Sequence, residues 1–194
     1  MNKAYKFRAM PNAQQRELFA KTVGCARFVY NRLLADKIAH YKETGKMLHN
    51  TPAQYKDEFP FLREVDSMAL CNAQLQVQTA YKNFFHDKSI GFPKFRSKKS
   101  SRKAYTTNWI KGNIAVVGNS LKLPKMGLVR VKFHRQIPDT HRIKSVTFSQ
   151  DPSGKYYVSI LTEYEADIPE RTLDTDKAIG LDYSSPHFYV DSQG

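Results

Sequence analysis

The hydrophobic period of this chain changes twice, and few folds accommodate the order in which it does so. Lys3 to Arg8 alternates, with Tyr5 and Phe7 on one side and Lys6 and Arg8 on the other, which is the two-residue period of a half-buried strand. Pro11 and Asn12 stop that strand, and Asn12 can cap a helix whose Gln15 is placed to reach back in a capping box. Leu18, Phe19 and Val23 give this helix an apolar stripe as far as Gly24; Phe28, Val29, Leu33, Ile38 and Tyr41 continue at helical spacing to Gly45. Two helices broken at Gly24 read either as a helix-turn-helix or as an ordinary helical hairpin. Asn50 to Phe61, punctuated by Pro52 and Pro60, holds at most a short helix. Asp66 or Ser67 then caps a long helix with Ala73, Val77, Tyr81 and Phe84 along one face. Later the period returns to two: Ile114 to Val117 and Leu121 to Leu123 form a hairpin across Gly118-Asn119, and Val129, Val131 and Phe133 alternate with Arg130, Lys132 and His134. Ser145 to Ser149 and Lys155 to Thr162 make another hairpin, across Asp151-Pro152-Ser153-Gly154. Strand, helices, strands is an α+β order. Its simplest architecture is an antiparallel barrel built from the first strand and the later ones, with the helices inserted into it.

The chemistry concentrates where helix returns to strand. Gly91 to Lys111 sets Lys94, Arg96, Lys98, Lys99, Arg102 and Lys103 among Phe92, Phe95, Tyr105 and Trp109, with no acidic residue inside the stretch. Cations neutralise phosphates and release counterions, and aromatic rings and guanidinium planes stack on exposed bases, so the mixture suits RNA or single strands. A formal charge of +13 over 194 residues points to a polyanionic partner more than to an acidic small molecule. No apolar run approaches the ~20 residues needed to span a bilayer, and the polar MNKAYKFRAM start lacks a signal-peptide apolar region. The reading is a soluble cytoplasmic protein, nucleoid-associated, without a membrane partner. Asn72 and Gln74 lie on an amide-rich helix face that either reads base edges or is simply solvated. Arg27 and Asn31, turned away from the apolar stripe of their helix, join the candidates for nucleic-acid binding, as do Tyr105, Thr106, Thr107 and Asn108 behind the basic run. Cys25 and Cys71 are far apart, with no CxxC and no His at ligand spacing, which argues against a zinc site and for two buried free thiols.

The expected organisation is a barrel of residues 1–10 and 91–166, a helical insertion of residues 11–90, an acidic linker over 167–176 and a further domain starting at 177. In that last segment Ala178 to Leu181 runs into Asp182 before a second strand, His187 to Val190. A carboxylate at the end of an apolar strand is either a metal ligand or a turn former.

Taken in order, KFRAMPNAQQRELFAKTVGCARFVYNRLL, REVDSMALCNAQLQVQTAYKNFF, GFPKFRSKK, LKLPKMG and IGLDYSSPHFYVDSQG resemble the N-terminal part of the transposon-encoded TnpB (OrfB-type) proteins, often labelled transposases. The resemblance covers essentially the whole chain. It implies an RNA-guided DNA endonuclease related to compact type V CRISPR effectors, with a wedge-type barrel, an inserted helical recognition region and a RuvC-type nuclease domain of RNase H-like fold. By resemblance, Asp182 matches the first metal-binding carboxylate of the RuvC site, in which carboxylates hold two Mg²⁺ ions roughly 3.5 to 4 Å apart. Lys94, Arg96, Lys98 and Lys99 match the family's basic motif, expected on guide RNA or heteroduplex backbone. The helix from Ser67 resembles the region that reads the short motif flanking target double-stranded DNA, where Ser67 and Cys71 stand in place of longer polar residues. The sequence given stops at Gly194, after the first two strands of the nuclease domain. The expectation is therefore a chain that binds guide RNA and target DNA but does not cut alone: either a second polypeptide supplies the rest of the nuclease, or the gene is interrupted or only partly represented here, or the chain is a binding-only derivative or remnant.

Overall fold

The computed structural model describes residues 1–99 and 103–166, together with the backbone of residues 181–182 and 190–191. The chain divides into two units, Met1–Tyr164 and Glu165–Gly194. In the second, strands β8 (Leu181–Asp182) and β9 (Val190–Asp191) pair antiparallel, with Asp182 opposite Val190. The expected linker at 167–176 lies outside the described residues.

In the first unit seven antiparallel strands form one half-barrel sheet. They are β1 (Asn2–Met10), β2 (Ala104–Asn108), β3 (Ala115–Val117), β4 (Ser120–Leu123), β5 (Gly127–Lys132), β6 (Arg142–Gln150) and β7 (Tyr156–Glu163). Their spatial order is β2-β6-β7-β1-β5-β4-β3. The N-terminal strand is thus central, and the hairpin strands close around it from both sides, as the return to two-residue periodicity requires. Among the described residues the sheet ends at β2 and β3, so it curves without the full closure the sequence led us to expect. The sequence reading also had no strand at β2, because Ala104 to Asn108 carries too few apolar residues to alternate visibly; pairing with β6 from Ala104–Ser149 to Asn108–Ser145 makes it one.

Alternation puts Tyr5, Phe7 and Ala9 of β1 inside with Val129, Val131, Val146, Phe148, Val158 and Ile160, all buried. A second core gathers Val29, Tyr30, Leu33 and Leu34 with Tyr55, Leu62, Leu70, Val77 and Tyr81. Helix α1 (Ala13–Thr44) runs through both, with Phe19 in the sheet core and Cys25 onward in the helical one. Helix α3 (Ser67–His86) does the same with Ala69 and Leu70, while the short α2 (Tyr55–Glu58) closes the helical core. Asn12 caps α1, its side chain accepting from Gln15 N–H at 2.9 Å while Gln15 Oε1 accepts from Asn12 N–H at 3.0 Å, the capping box expected from the sequence. No helix of the described residues is long and apolar enough to cross a membrane.

Gly24 does not break α1. Packing on both flanks outweighs the roughly 1 kcal/mol that a helical glycine costs relative to alanine, and neither a hairpin nor a helix-turn-helix forms within residues 13–44. The two thiols are free, Cys25 buried and Cys71 only half-buried.

The start of α3 carries a polar group at a cost. Asp66 is the N-cap, accepting from Met68 N–H at 2.9 Å through Oδ1, but it is buried, and neither its Oδ2 nor the Thr107 hydroxyl finds a partner at hydrogen-bond geometry among the described residues. Burial pushes the Asp66 carboxyl above the usual carboxylate range, opposed in part by the Thr107 hydroxyl and the first amides of α3.

Two outcomes follow. Gly24→Ala adds a Cβ that meets nothing within 4 Å, so it is expected to raise stability by up to about 1 kcal/mol; a loss on urea unfolding would mean that the helix needs to flex there. Because the folded state holds the Asp66 proton more tightly than the unfolded chain, stability from this group declines as pH rises from the unfolded carboxylate pKa through the raised folded one. Asp66→Asn keeps the cap and is expected to flatten that decline, whereas Asp66→Ala also loses about 1 kcal/mol of capping; parallel urea midpoints from pH 4 to 8 check both.

Candidate nucleic-acid interface

The basic run is fastened to the helices before it presents any charge. Phe92 packs edge-on against Tyr81 and Phe84, with ring centroids 5.5 and 5.4 Å apart, and Pro93 is buried. Arg96 then crosses α1 with its guanidinium 3.8 Å from the centroid of the buried Tyr30 ring, and Nη1 donates to Gln76 Oε1 of α3 at 2.6 Å. Asn31 completes the attachment by mimicking a strand: its Oδ1 accepts from Arg96 N–H at 2.8 Å and its Nδ2 donates to the Arg96 carbonyl at 2.9 Å. The sequence placed Asn31 and Arg96 on nucleic acid; the structure brings them together, the Asn31 side chain on the Arg96 backbone and the Arg96 side chain on Tyr30 and Gln76. What they hold out is Lys94, Phe95, Lys98 and Lys99, all exposed. Lys103 is exposed as well, and Arg102 lies outside the described residues.

The stretch after it divides by alternation. Tyr105 and Thr107 face inward, 5% and 1% exposed, and Tyr105 packs against Phe19 and Phe148 at centroid distances of 5.9 and 6.1 Å. Burial, aided by the nearby Asp66, raises the Tyr105 hydroxyl pKa. These two side chains belong to the core, a correction that follows from the strand the sequence reading missed. Thr106 and Asn108 face the other way, where Asn72 reaches them from α3: its Nδ2 donates to the Thr106 carbonyl at 2.9 Å and lies 3.4 Å from Asn108 Oδ1, besides bonding Met68 O of its own helix. Asn72 therefore ties edge strand β2 to α3. Gln74 is half-buried. A crevice at the junction is lined by Arg27, Asn72, Arg96, Tyr105 and Thr106 among others, so five expected residues from α1, α3 and the stretch after α3 converge on one place.

The sheet offers a second cationic surface. On the face away from the core, Arg8 of β1 stands directly opposite Lys132 of β5, and Met10 opposite Arg130, which in turn faces Ser120 of β4. Lys6 and Lys122 occupy the same face, and all but the half-buried Arg8 are exposed. Across β7, Tyr157 pairs with Arg8 in register and lies beneath both cations, the Lys6 ammonium 4.7 Å and the Arg8 guanidinium 5.4 Å from its ring centroid. The alternation of cations was legible in β1 and β5. Tyr157, in an ordinary hairpin strand, carried no signal that would have assigned it to them.

Among the described residues no three His, Cys, Asp or Glu side chains come together as a metal site. Asp182 is described as backbone only, at the end of β8.

Residues 1–46 match the family model HTH_OrfB_IS605, described as "Helix-turn-helix domain", although in this chain they fold as β1 and the uninterrupted α1. Two curated relatives align along nearly the whole chain. One, from Streptomyces pristinaespiralis, is named "Putative RNA-guided DNA endonuclease" and is 30% identical over 194 residues, covering 94% of this chain and 46% of the relative. The other, "Putative RNA-guided DNA endonuclease InsQ" of Escherichia coli K12, is 30% identical over 186 residues, covering 92% of this chain and 44% of the relative. The chain thus spans less than half the length of the curated relatives it matches, and these matches support its resemblance to the N-terminal part of the TnpB (OrfB-type) proteins.

Proposed function

We propose that this chain is the nucleic-acid-binding portion of a transposon-associated RNA-guided DNA endonuclease, holding guide RNA and target double-stranded DNA. The observation that carries the reading is the register of Arg8 against Lys132, beside Lys6, Lys122 and Arg130. Like charges directly opposite across a ladder repel and destabilise the sheet, whereas a phosphate backbone laid across the row turns the repulsion into attraction and releases counterions. In this reading the half-barrel is the wedge domain, residues 11–90 are the recognition insertion, and the exposed Lys94, Lys98 and Lys99 follow the backbone of guide RNA or heteroduplex. The guide reads the target by base pairing, and the protein reads shape and a short flanking motif.

Asp182, on this view, is the first carboxylate of a RuvC-type site that would hold Mg²⁺ to activate water and stabilise the leaving oxygen. One carboxylate does not form a two-metal site, so cleavage is assigned to residues beyond those described, and binding is what these residues supply. A conventional helix-turn-helix reader is the less favoured alternative, because α1 passes through Gly24 without a turn.

Purification with the native locus, washing at rising salt and sequencing of the retained nucleic acid tests the guided class: a discrete RNA from that locus supports it, and heterogeneous fragments or duplex DNA sharing one motif sink it. Removing charge at Lys98, Lys99 and Arg102 together is expected to weaken RNA binding far more than Asp182→Ala, and equal losses would contradict the division of labour. On duplex DNA, neutralising Lys6, Arg130 and Lys132 should flatten the salt dependence by about 0.9 log units for each phosphate that is no longer neutralised. Asn31→Ala removes no charge, yet by releasing Arg96 it is expected to weaken RNA binding as well; unchanged affinity would show that the basic run needs no anchor.

A further inference from the structure

Trp109 is the chain's one tryptophan, and it is 47% exposed, although so large an apolar side chain gains much from burial. It directly follows edge strand β2, on a backbone fixed from both sides. Its N–H donates to the Lys144 carbonyl at 2.8 Å, and the Asn113 side chain accepts from Ile110 N–H at 2.7 Å and donates to the Asn108 carbonyl at 3.0 Å. The indole is therefore presented to solvent from a held position. Beside it Trp109, Arg142, Ile143, Lys144 and Glu163 line an open hollow of about 530 Å³, within the range of small-ligand sites. The carboxylate in this lining is already paired, Lys144 Nζ lying 3.1 Å from Glu163. Arg142 is exposed and has no ion pair among the described residues.

The position relative to the cationic row matters too. Alternation along β7 puts Glu163 on the same outward face as Tyr157, and Arg142 pairs with Glu163 in register. From Tyr157 to Glu163 is six residues, or roughly 20 Å of strand. A single strand lying on the Lys6–Arg8 row can therefore run along β7 into this hollow.

We propose that Trp109 and Arg142 hold one unpaired nucleotide, its base against the indole and its phosphate on the guanidinium. The proposal deepens the nucleic-acid reading above and rests on it. A base inside a duplex gives both faces to its neighbours, so away from duplex ends only an unpaired base has a face to offer. RNA and a displaced DNA strand share this chemistry, and they differ in the 2′-hydroxyl.

Because Trp109 is the sole tryptophan, its emission reports the contact directly. The whole chain is titrated with a single-stranded RNA, the same sequence as single-stranded DNA, a duplex, and an abasic oligomer of equal phosphate number, while binding is followed separately by sedimentation. Quenching by one or both single strands, absent with duplex and abasic oligomer even where these bind, supports the proposal and identifies the source. Trp109→Ala is then expected to weaken that strand about 5- to 150-fold, with duplex affinity unchanged, and Trp109→Phe to restore most of it. Arg142→Gln should lower the single-strand salt slope by about 0.7. Single strands that bind without quenching, equal quenching by duplex, or wild-type affinity in Trp109→Ala would overturn the stacking contact and leave the nucleic-acid reading standing. Absence of binding to every polymer would overturn both.

Discussion

Helix α1 has to satisfy two cores at once, and the placement of α3 and of the basic run follows from that. Its first turns place Phe19 under the sheet and its later turns place Val29, Leu33 and Leu34 against α3. Were it to turn at Gly24, one set would leave its core, and exposing a Phe or Leu of this kind costs about 1.5–3 kcal/mol each. Against that, one helical glycine is a small penalty. The same logic fixes α3, whose Ala69 and Leu70 look into different clusters. The helices are thereby joined to the sheet through shared apolar packing, and the basic run that leaves α3 starts from a defined point.

Most of the amides that looked available for reading bases are occupied in holding that starting point. Asn31 and Asn72 each spend their side chains on backbone of the segment after α3, one on Arg96 and one on Thr106. An unfastened run of cations would be ordered only on binding, at an entropic cost of about 1–2 kcal/mol per residue. With Arg96 locked over Tyr30 and against Gln76, part of that ordering is complete beforehand. The cations exposed to solvent and the cation that anchors them are thus different residues of one motif.

The half-barrel contributes charge in another way. Arg8 against Lys132 repels, and the sheet tolerates it because Lys132 is exposed and the half-buried Arg8 lies, with Lys6, over the Tyr157 ring. An unfavourable pair kept within a sheet whose inner face is largely apolar marks a surface shaped for something other than stability.

The sequence by itself determined the strand, helices, strands order, the capping box at Asn12 and the two hairpins, because periodicity and turn chemistry act over a few neighbouring residues. It also set the net charge, which points to a polyanionic partner whatever the fold. It could not decide that Gly24 lies inside a helix, because the packing that outweighs its propensity comes from α3 and the sheet. Nor could it decide that Tyr105 and Thr107 point inward, because β2 is made a strand by hydrogen bonds to β6, some forty residues distant. The site divided along the same line. Lys94, Lys98 and Lys99 were legible as exposed cations, whereas the roles of Asn31, Asn72 and Arg96, and the meeting of Trp109 with Arg142, arise from pairings across the fold that no local pattern encodes.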